Sequence, residues 1–340
     1  MTATPQSIAR ERVKWIDALR GFIMLLMVFG HVWAGLHRAQ ILQSEWIFTA
    51  VYNWIYFFHM PALFVISGMF FSGSGGTQNF VQSNGQRAFR FLYPLVLWSY
   101  VYFLTKYAFE SDVNRPVSVT DVVLAPFPPK DHFWFIWALF VIQLAASALF
   151  VLMDRLPGGH HRVVRGVSGL GLALLATIVP GNQNPWFAAS AWMAPFFFLG
   201  VLLYKFPRQE FSIAAALVSG FLLFLIPPTA AVMFGTNVAG IVIYAAQAVC
   251  IFGLMLVAMG LGHHFASTRM TDFLVRIGQA SMTIYLLHIF FTSGVRIILS
   301  RLKVDDLTIH LAAGLIVGLV LPLAIHALLE RSRMRAWLGL

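Results

Sequence analysis

Apolar residues in this chain run in long blocks separated by short polar connections. Ten blocks are visible, at residues 15–36, 46–71, 91–109, 133–153, 164–179, 186–204, 211–227, 237–261, 277–299 and 308–329. Each approaches the roughly 17–25 residues that a helix needs to cross hydrocarbon. The pattern predicts an all-α, polytopic integral membrane bundle of about ten transmembrane helices, forming one domain over residues 1–340. The fifth and seventh blocks are short. Two polar stretches stand out. Gly73–Arg90 is rich in Gly, Ser, Asn and Gln and ends in Gln-Arg-Ala-Phe-Arg, whereas Glu110–His132 holds Pro116, Pro126, Pro128 and Pro129. The prolines predict a constrained loop rather than a helix. No internal repeat is visible.

Composition supports the membrane assignment. The chain is 59% hydrophobic and 11% charged, against about 25% charged in soluble domains. Cys250 is the single cysteine, so no intrachain disulfide forms, and its apolar surroundings make it a small buried hydrophobe. A net charge of +10 raises the question of nucleic acid, but its distribution answers it. Sixteen of the 23 Lys and Arg, among them Arg10, Arg12, Lys14, Arg20, Arg87, Arg90, Lys205 and Arg208, fall on the side of the N-terminus. Seven fall opposite: Arg38, Lys106, Arg115, Lys130, Arg296, Arg301 and Lys303. The bias places both termini in the cytoplasm and makes the basic excess a topology signal, with no nucleic acid partner. The first block is too long for a signal peptide, is interrupted by His31 and is followed by no small-residue cleavage site, so it predicts an uncleaved first span.

Within that first span, Arg20 and His31 are eleven residues apart. Eleven helical steps of about 100° come within about 20° of three full turns, so both side chains leave one face about 16 Å apart along the axis. An ionisable residue buried in a span is costly and is by default a functional hypothesis. His31 is either an interhelical hydrogen-bonding group or a general base. Asp17, three residues before Arg20, either pairs with it to hide two charges at the membrane face or orients it toward a phosphate. Arg87 and Arg90, also three apart, either anchor the third span or add to a cationic mouth suited to a nucleotide-like polyanion.

Other polar residues sit inside apolar blocks. His59, Met60 and Pro61 interrupt the second, with Ser67 and Gly68 following. Pro61 predicts a kink whose freed backbone groups need partners. Tyr285 and His288 share a face of the ninth block, where interhelical hydrogen bonding is the simpler role. Trp134, Trp137, Trp186, Trp192, Tyr204 and Trp337 crowd the span ends, as interfacial aromatics do. His160, His161, His263 and His264 lack Cys or carboxylate neighbours at metal-ligand spacing, so no metal is expected. No Walker loop, Rossmann fingerprint or Gly-x-Ser-x-Gly elbow occurs.

Together these motifs resemble the membrane-bound acyltransferase 3 family, which includes bacterial sugar O-acetyltransferases of the fucose 4-O-acetylase type. Ile16–Gly21 through His31 resembles the family's Arg, ten residues, His signature. Phe58–Phe64 through Ser67-Gly68 resembles its second-span motif. Arg87 and Arg90 fall where the family has a paired-Arg motif, although two residues intervene here where many members have one. Phe133–Trp137 resembles its Trp-Phe-Leu type motif, Gly278–Ser281 with Tyr285 and His288 its late-span motif, and Glu330–Ser332 its C-terminal one.

The resemblance implies transfer of an acyl group, acetyl first among the candidates, from acyl-CoA to a hydroxyl of a surface or exported glycan. Acetyl-CoA would be a donor substrate rather than a permanently bound cofactor. The implied catalytic residues are His31 and Asp17. Arg20, Arg87 and Arg90 would bind the donor, and His59, Ser67, Trp134, Tyr285 and His288 would line or support the site. The implied location is the bacterial cytoplasmic (inner) membrane, where glycan-export proteins or glycosyltransferases would be partners. Two other classes fit the same spans: a transporter or flippase moving a glycan or lipid precursor without acyl chemistry, and a structural subunit of an export complex.

Overall fold

A computed structural model describes residues 14–73, 79–159, 161–178, 184–204, 212–236, 240–264 and 268–340, with the backbone alone for 262–264. Arg10, Arg12, His160, Lys205 and Arg208, and the side chains of His263 and His264, lie outside the described residues. The described residues hold no strand. Fourteen α-helices follow in order: α1 (Lys14–Arg38), α2 (Glu45–Tyr56), α3 (His59–Met69), α4 (Phe80–Ala108), α5 (Val119–Val123), α6 (Trp134–Met153), α7 (Arg162–Ile178), α8 (Ala188–Leu202), α9 (Ile213–Phe234), α10 (Gly240–His264), α11 (Arg269–Gln279), α12 (Ser281–Arg301), α13 (Leu307–Leu329) and α14 (Met334–Leu338).

Among the described residues, seven helical stretches are long and apolar enough to cross a membrane. The other three of the ten predicted intervals are occupied by α4, α7 and α8, which do not meet that requirement. The most enclosed spans are Lys14–Arg38 and Glu45–Met69, each 61% buried, while Ile213–Phe234 and Leu307–Leu329 are 17% and 22% buried. The first two therefore form the centre, and the last two present mostly apolar surface outward.

The helices depart from the apolar blocks where the backbone needs something else. The second block breaks at Phe57-Phe58 rather than only kinking, leaving Pro61 in the first turn of α3, where a missing N–H is tolerated. Pro61 cannot donate to the Phe57 carbonyl four residues back. Gln247 of α10 does so instead, its Nε2 2.7 Å from that oxygen. The ninth block breaks similarly at Ala280, between α11 and α12. Two loop expectations need correction. Arg87 and Arg90 belong to a helix, because α4 begins at Phe80. The proline-rich connection contains the short helix α5, started by a capping box between Ser118 and Asp121.

Close helix crossings rest on glycine. A methyl group added at Gly21 would lie 1.9 Å from the Leu274 carbonyl oxygen, and one at Gly278 would lie 2.0 Å from that of Asp17. Helices α1 and α11 thus touch backbone to backbone. Gly68 and Gly200 do the same for α3 and α8, at 1.9 Å from the Phe197 oxygen and 2.0 Å from the Val65 oxygen. Small residues permit this approach in lipid, where association depends on packing rather than on expelling water.

Arg162 closes the end of one of these pairs. Its Nη2 donates to the carbonyls of Gly68 (3.1 Å) and Met69 (2.7 Å), and its Nε to that of Val201 (3.3 Å). A cation thus satisfies the last carbonyls of α3 and α8, where the helix dipoles are negative. Removing it leaves part-buried acceptors unpaired. Arg162→Ala is expected to cost about 1–3 kcal/mol, read as an earlier thermal unfolding transition in detergent.

Candidate active site

Helix α1 runs unbroken from Lys14 to Arg38, so Arg20 and His31 do share one face. Arg20 Nη1 lies 3.3 Å from Asp17 Oδ1, and its side chain is about a third exposed. His31 is half-buried, two turns before Arg38 at the other end of the helix.

Around His31 the fold assembles two more imidazoles. The ring of His288, from α12, has its centroid 5.0 Å away. The ring of His132, which precedes α6, is 6.4 Å away, and His132 and His288 are 5.9 Å apart. His288 and His132 are both buried. Three stretches of chain distant in sequence thus meet at one point inside the bundle. The approach of His288 follows from the Gly21–Gly278 crossing, which fixes α11 on α1 ten residues before His31.

Hydrogen bonds settle the proton positions of part of this cluster. His288 Nδ1 is 2.8 Å from the carbonyl oxygen of Ile284. A carbonyl only accepts, so Nδ1 carries the proton and the neutral ring has a lone pair on Nε2. That Nε2 is buried and without a hydrogen-bond partner. Tyr285, one turn before, donates its hydroxyl hydrogen to the carbonyl of His132 and so ties α12 to the start of α6. The expectation of interhelical bonding holds for Tyr285, whereas His288 bonds its own helix and turns its ring to His31.

His59 packs against Tyr56, with ring centroids 4.5 Å apart, and its Nδ1 lies 2.9 Å from the Ile55 oxygen. It is fully buried. Ser67 is half-buried on α3. Trp134 opens α6 and stacks on Phe64 with centroids 6.4 Å apart. The paired arginines differ. Arg87 turns inward, its Nη1 donating to Asn84 Oδ1 (2.9 Å) and Ser147 Oγ (2.5 Å), its Nη2 to the Gly73 carbonyl, with the guanidinium over Phe71. Arg90 is exposed, 5.9 Å over the Phe91 ring. Among the described residues, no group of His, Cys, Asp and Glu has an arrangement that holds a metal ion. Sequence reasoning did not single out His132, because it stands at the end of a proline-rich loop where no periodicity assigns it a face.

Three imidazoles thus meet inside a helical membrane bundle, one of them on the face of α1 that Arg20 begins. The chain belongs to the acyltransferase 3 family, whose profile, described as an acyltransferase domain, matches residues 13–327. Among curated relatives, it is 32% identical over 127 residues to nodulation protein NolL of Mesorhizobium japonicum, covering 37% of this chain and 32% of that protein. It is 26% identical over 199 residues to nodulation protein NolL of Sinorhizobium fredii, covering 57% of this chain and 49% of that protein. The matches thus span about a third and about half of the relatives' lengths. No solved structure matches.

Proposed function

We propose that this chain is an O-acyltransferase of the bacterial cytoplasmic membrane that moves an acyl group, acetyl first among the candidates, from acyl-CoA to a hydroxyl of a cell-surface or exported glycan. The observation that carries the reading is the packing of His288 and His132 on His31, on the face of α1 that Arg20 begins. Family membership supports acyl transfer, and the nodulation proteins among its relatives are consistent with a glycan acceptor.

The chemistry divides among the residues as follows. Acyl-CoA phosphates lie on Arg20 and Arg90, with Asp17 orienting the Arg20 guanidinium. Arg87 shapes that mouth and contributes charge, since its named hydrogen bonds are to the protein. His59, Ser67 and Trp134 line the path beside the pantetheine arm. A hydroxyl is a poor nucleophile near neutral pH. His31 takes its proton as the oxygen attacks the thioester carbonyl, with the His288 ring packed against it. Glycan-export proteins or glycosyltransferases are the partners that would deliver such an acceptor.

Purified protein in nanodiscs, given acetyl-CoA and a panel of methyl glycosides including methyl fucoside, is expected to release free CoA in step with acetylated sugar. Mass spectrometry of surface glycans from cells with and without the chain should show the matching acyl groups. A transporter would consume no thioester, and that result would sink the reading.

A further inference from the structure

We infer that His132 supplies the N–H donor that stabilises the oxyanion formed when the acceptor attacks the thioester. The inference rests on the acyl-transfer reading above and assigns a residue that this reading leaves idle.

A neutral imidazole has one N–H and one lone pair. In His288 the N–H is committed to the Ile284 carbonyl, so that ring can only accept. His31 acts as the base and must therefore present a lone pair to the hydroxyl. His132 is 5% exposed, and neither of its ring nitrogens has a hydrogen-bond partner. Leaving polar atoms buried and unpaired costs about 1–3 kcal/mol each, and buried groups in native proteins are rarely left so. The thioester oxygen is the partner assigned here to the His132 N–H. The ring packs at 74° to His31 and 75° to His288, with centroids 6.4 and 5.9 Å away, which sets it beside the base and its neighbour.

The backbone holds that ring in place with some strain. Asp131, the preceding residue, has φ +50°, the left-handed region that non-glycine residues rarely adopt. Its carboxylate is fixed by Lys106 Nζ at 3.2 Å. On the other side, the Tyr285 hydroxyl grips the His132 carbonyl. The ring is wedged against Phe133, Tyr102 and Tyr285, with centroids 4.0, 5.2 and 5.5 Å away. Strained backbone pinned from two sides is how proteins preorganise a polar group at a reacting centre.

The step balances. His31 takes the hydroxyl proton as the acceptor oxygen bonds to the thioester carbon, and the carbonyl oxygen becomes an oxyanion held by the His132 N–H. On collapse the carbon–sulfur bond breaks, and the departing sulfur takes the proton back from His31.

The test compares His132→Met with His132→Gln, two side chains of similar length of which only the second has an N–H. The protein is assayed in nanodiscs with acetyl-CoA and either methyl fucoside or hydroxylamine, a nucleophile that needs no prior deprotonation. His132→Met is expected to lower kcat by about 10²–10³-fold with both nucleophiles, with little change in KM for acetyl-CoA. His132→Gln should recover at least about tenfold of that loss, as a donor role requires. The assignment is overturned by an undiminished kcat in His132→Met, by a loss that hydroxylamine bypasses, or by a change confined to KM. If His132→Met does not fold, His132→Gln decides alone: kcat within about tenfold of the parent supports the donor, and total loss with acetyl-CoA binding intact rejects it. Should the unaltered protein consume no acetyl-CoA with either nucleophile, the acyl-transfer reading falls and takes this assignment with it. Normal transfer by His132→Met removes only the assignment.

Discussion

His31→Ala is expected to leave a folded membrane protein that no longer acetylates a sugar hydroxyl, with transfer down by about 10²–10⁴-fold. The fold should survive because the contacts that fix α1 lie elsewhere. The nearest backbone crossing is at Gly21, and the buried apolar residues around His31, Val28 and Val32 among them, remain in place. Activity should not survive, because no neighbour can stand in. His288 and His59 stand on other helices, each held through Nδ1 to the backbone carbonyl of the residue four before it, so neither ring occupies the position of His31. Hydroxylamine should restore part of the acetyl-CoA consumption, since it needs no base before attack. The measurement is CoA release by protein first shown to be monodisperse in detergent. Unchanged sugar acetylation by the variant would remove His31 from the chemistry.

The largest structural effect is expected from Gly278→Val. The added carbons meet backbone, the Asp17 carbonyl at 2.0 Å, which no rotamer change relieves. Overpacking against movable side chains costs about 1–3 kcal/mol, and a backbone collision should reach or pass the top of that range. The same crossing carries Asp17 beside Arg20 and leads into Tyr285 and His288, so α1 and α12 should lose register and activity should fall with stability. Gly294→Ala on α12 is the control, because an added methyl there meets nothing within 4 Å. That change is expected to be neutral or to stabilise by about 0.5–1 kcal/mol, as removing glycine from a helix interior does. Unfolding temperatures of the two variants check both halves of the prediction, and equal behaviour would refute it.

Much of this arrangement was legible in the sequence. The apolar blocks give the helical membrane class, and the eleven-residue spacing places Arg20 and His31 on one stripe because α1 is a single unbroken helix. Pro61 announces an interruption with a backbone carbonyl in need of a donor, although the donor, Gln247, comes from a helix no local rule connects to it. His132 was illegible for a similar reason. It sits in no periodic pattern, and its value arises only when α6 docks against α1 and α12. Arg162 counted as one of many basic residues on the topology-setting side, yet its guanidinium caps two helices. The glycines of the quoted motifs, Gly21, Gly68 and Gly278, were visible as letters, and only the structure gives them a packing role. Spacing reveals what one helix does by itself, while meetings between helices depend on crossings that single-helix periodicity does not encode.

The Gly21–Gly278 contact also bears on how the protein is made. Its two halves are separated by roughly 250 residues, which a ribosome working at about 5–20 residues per second needs ten seconds or more to synthesise. During that interval the first helix sits in the bilayer without its eventual neighbour. The Asp17–Arg20 pair, internal to that helix, neutralises both charges without waiting for anything else. The meeting of His31 with His288 is therefore completed late, only as the final third of the chain inserts, and an arrested or truncated nascent chain would have the first helix in the membrane without the histidine cluster.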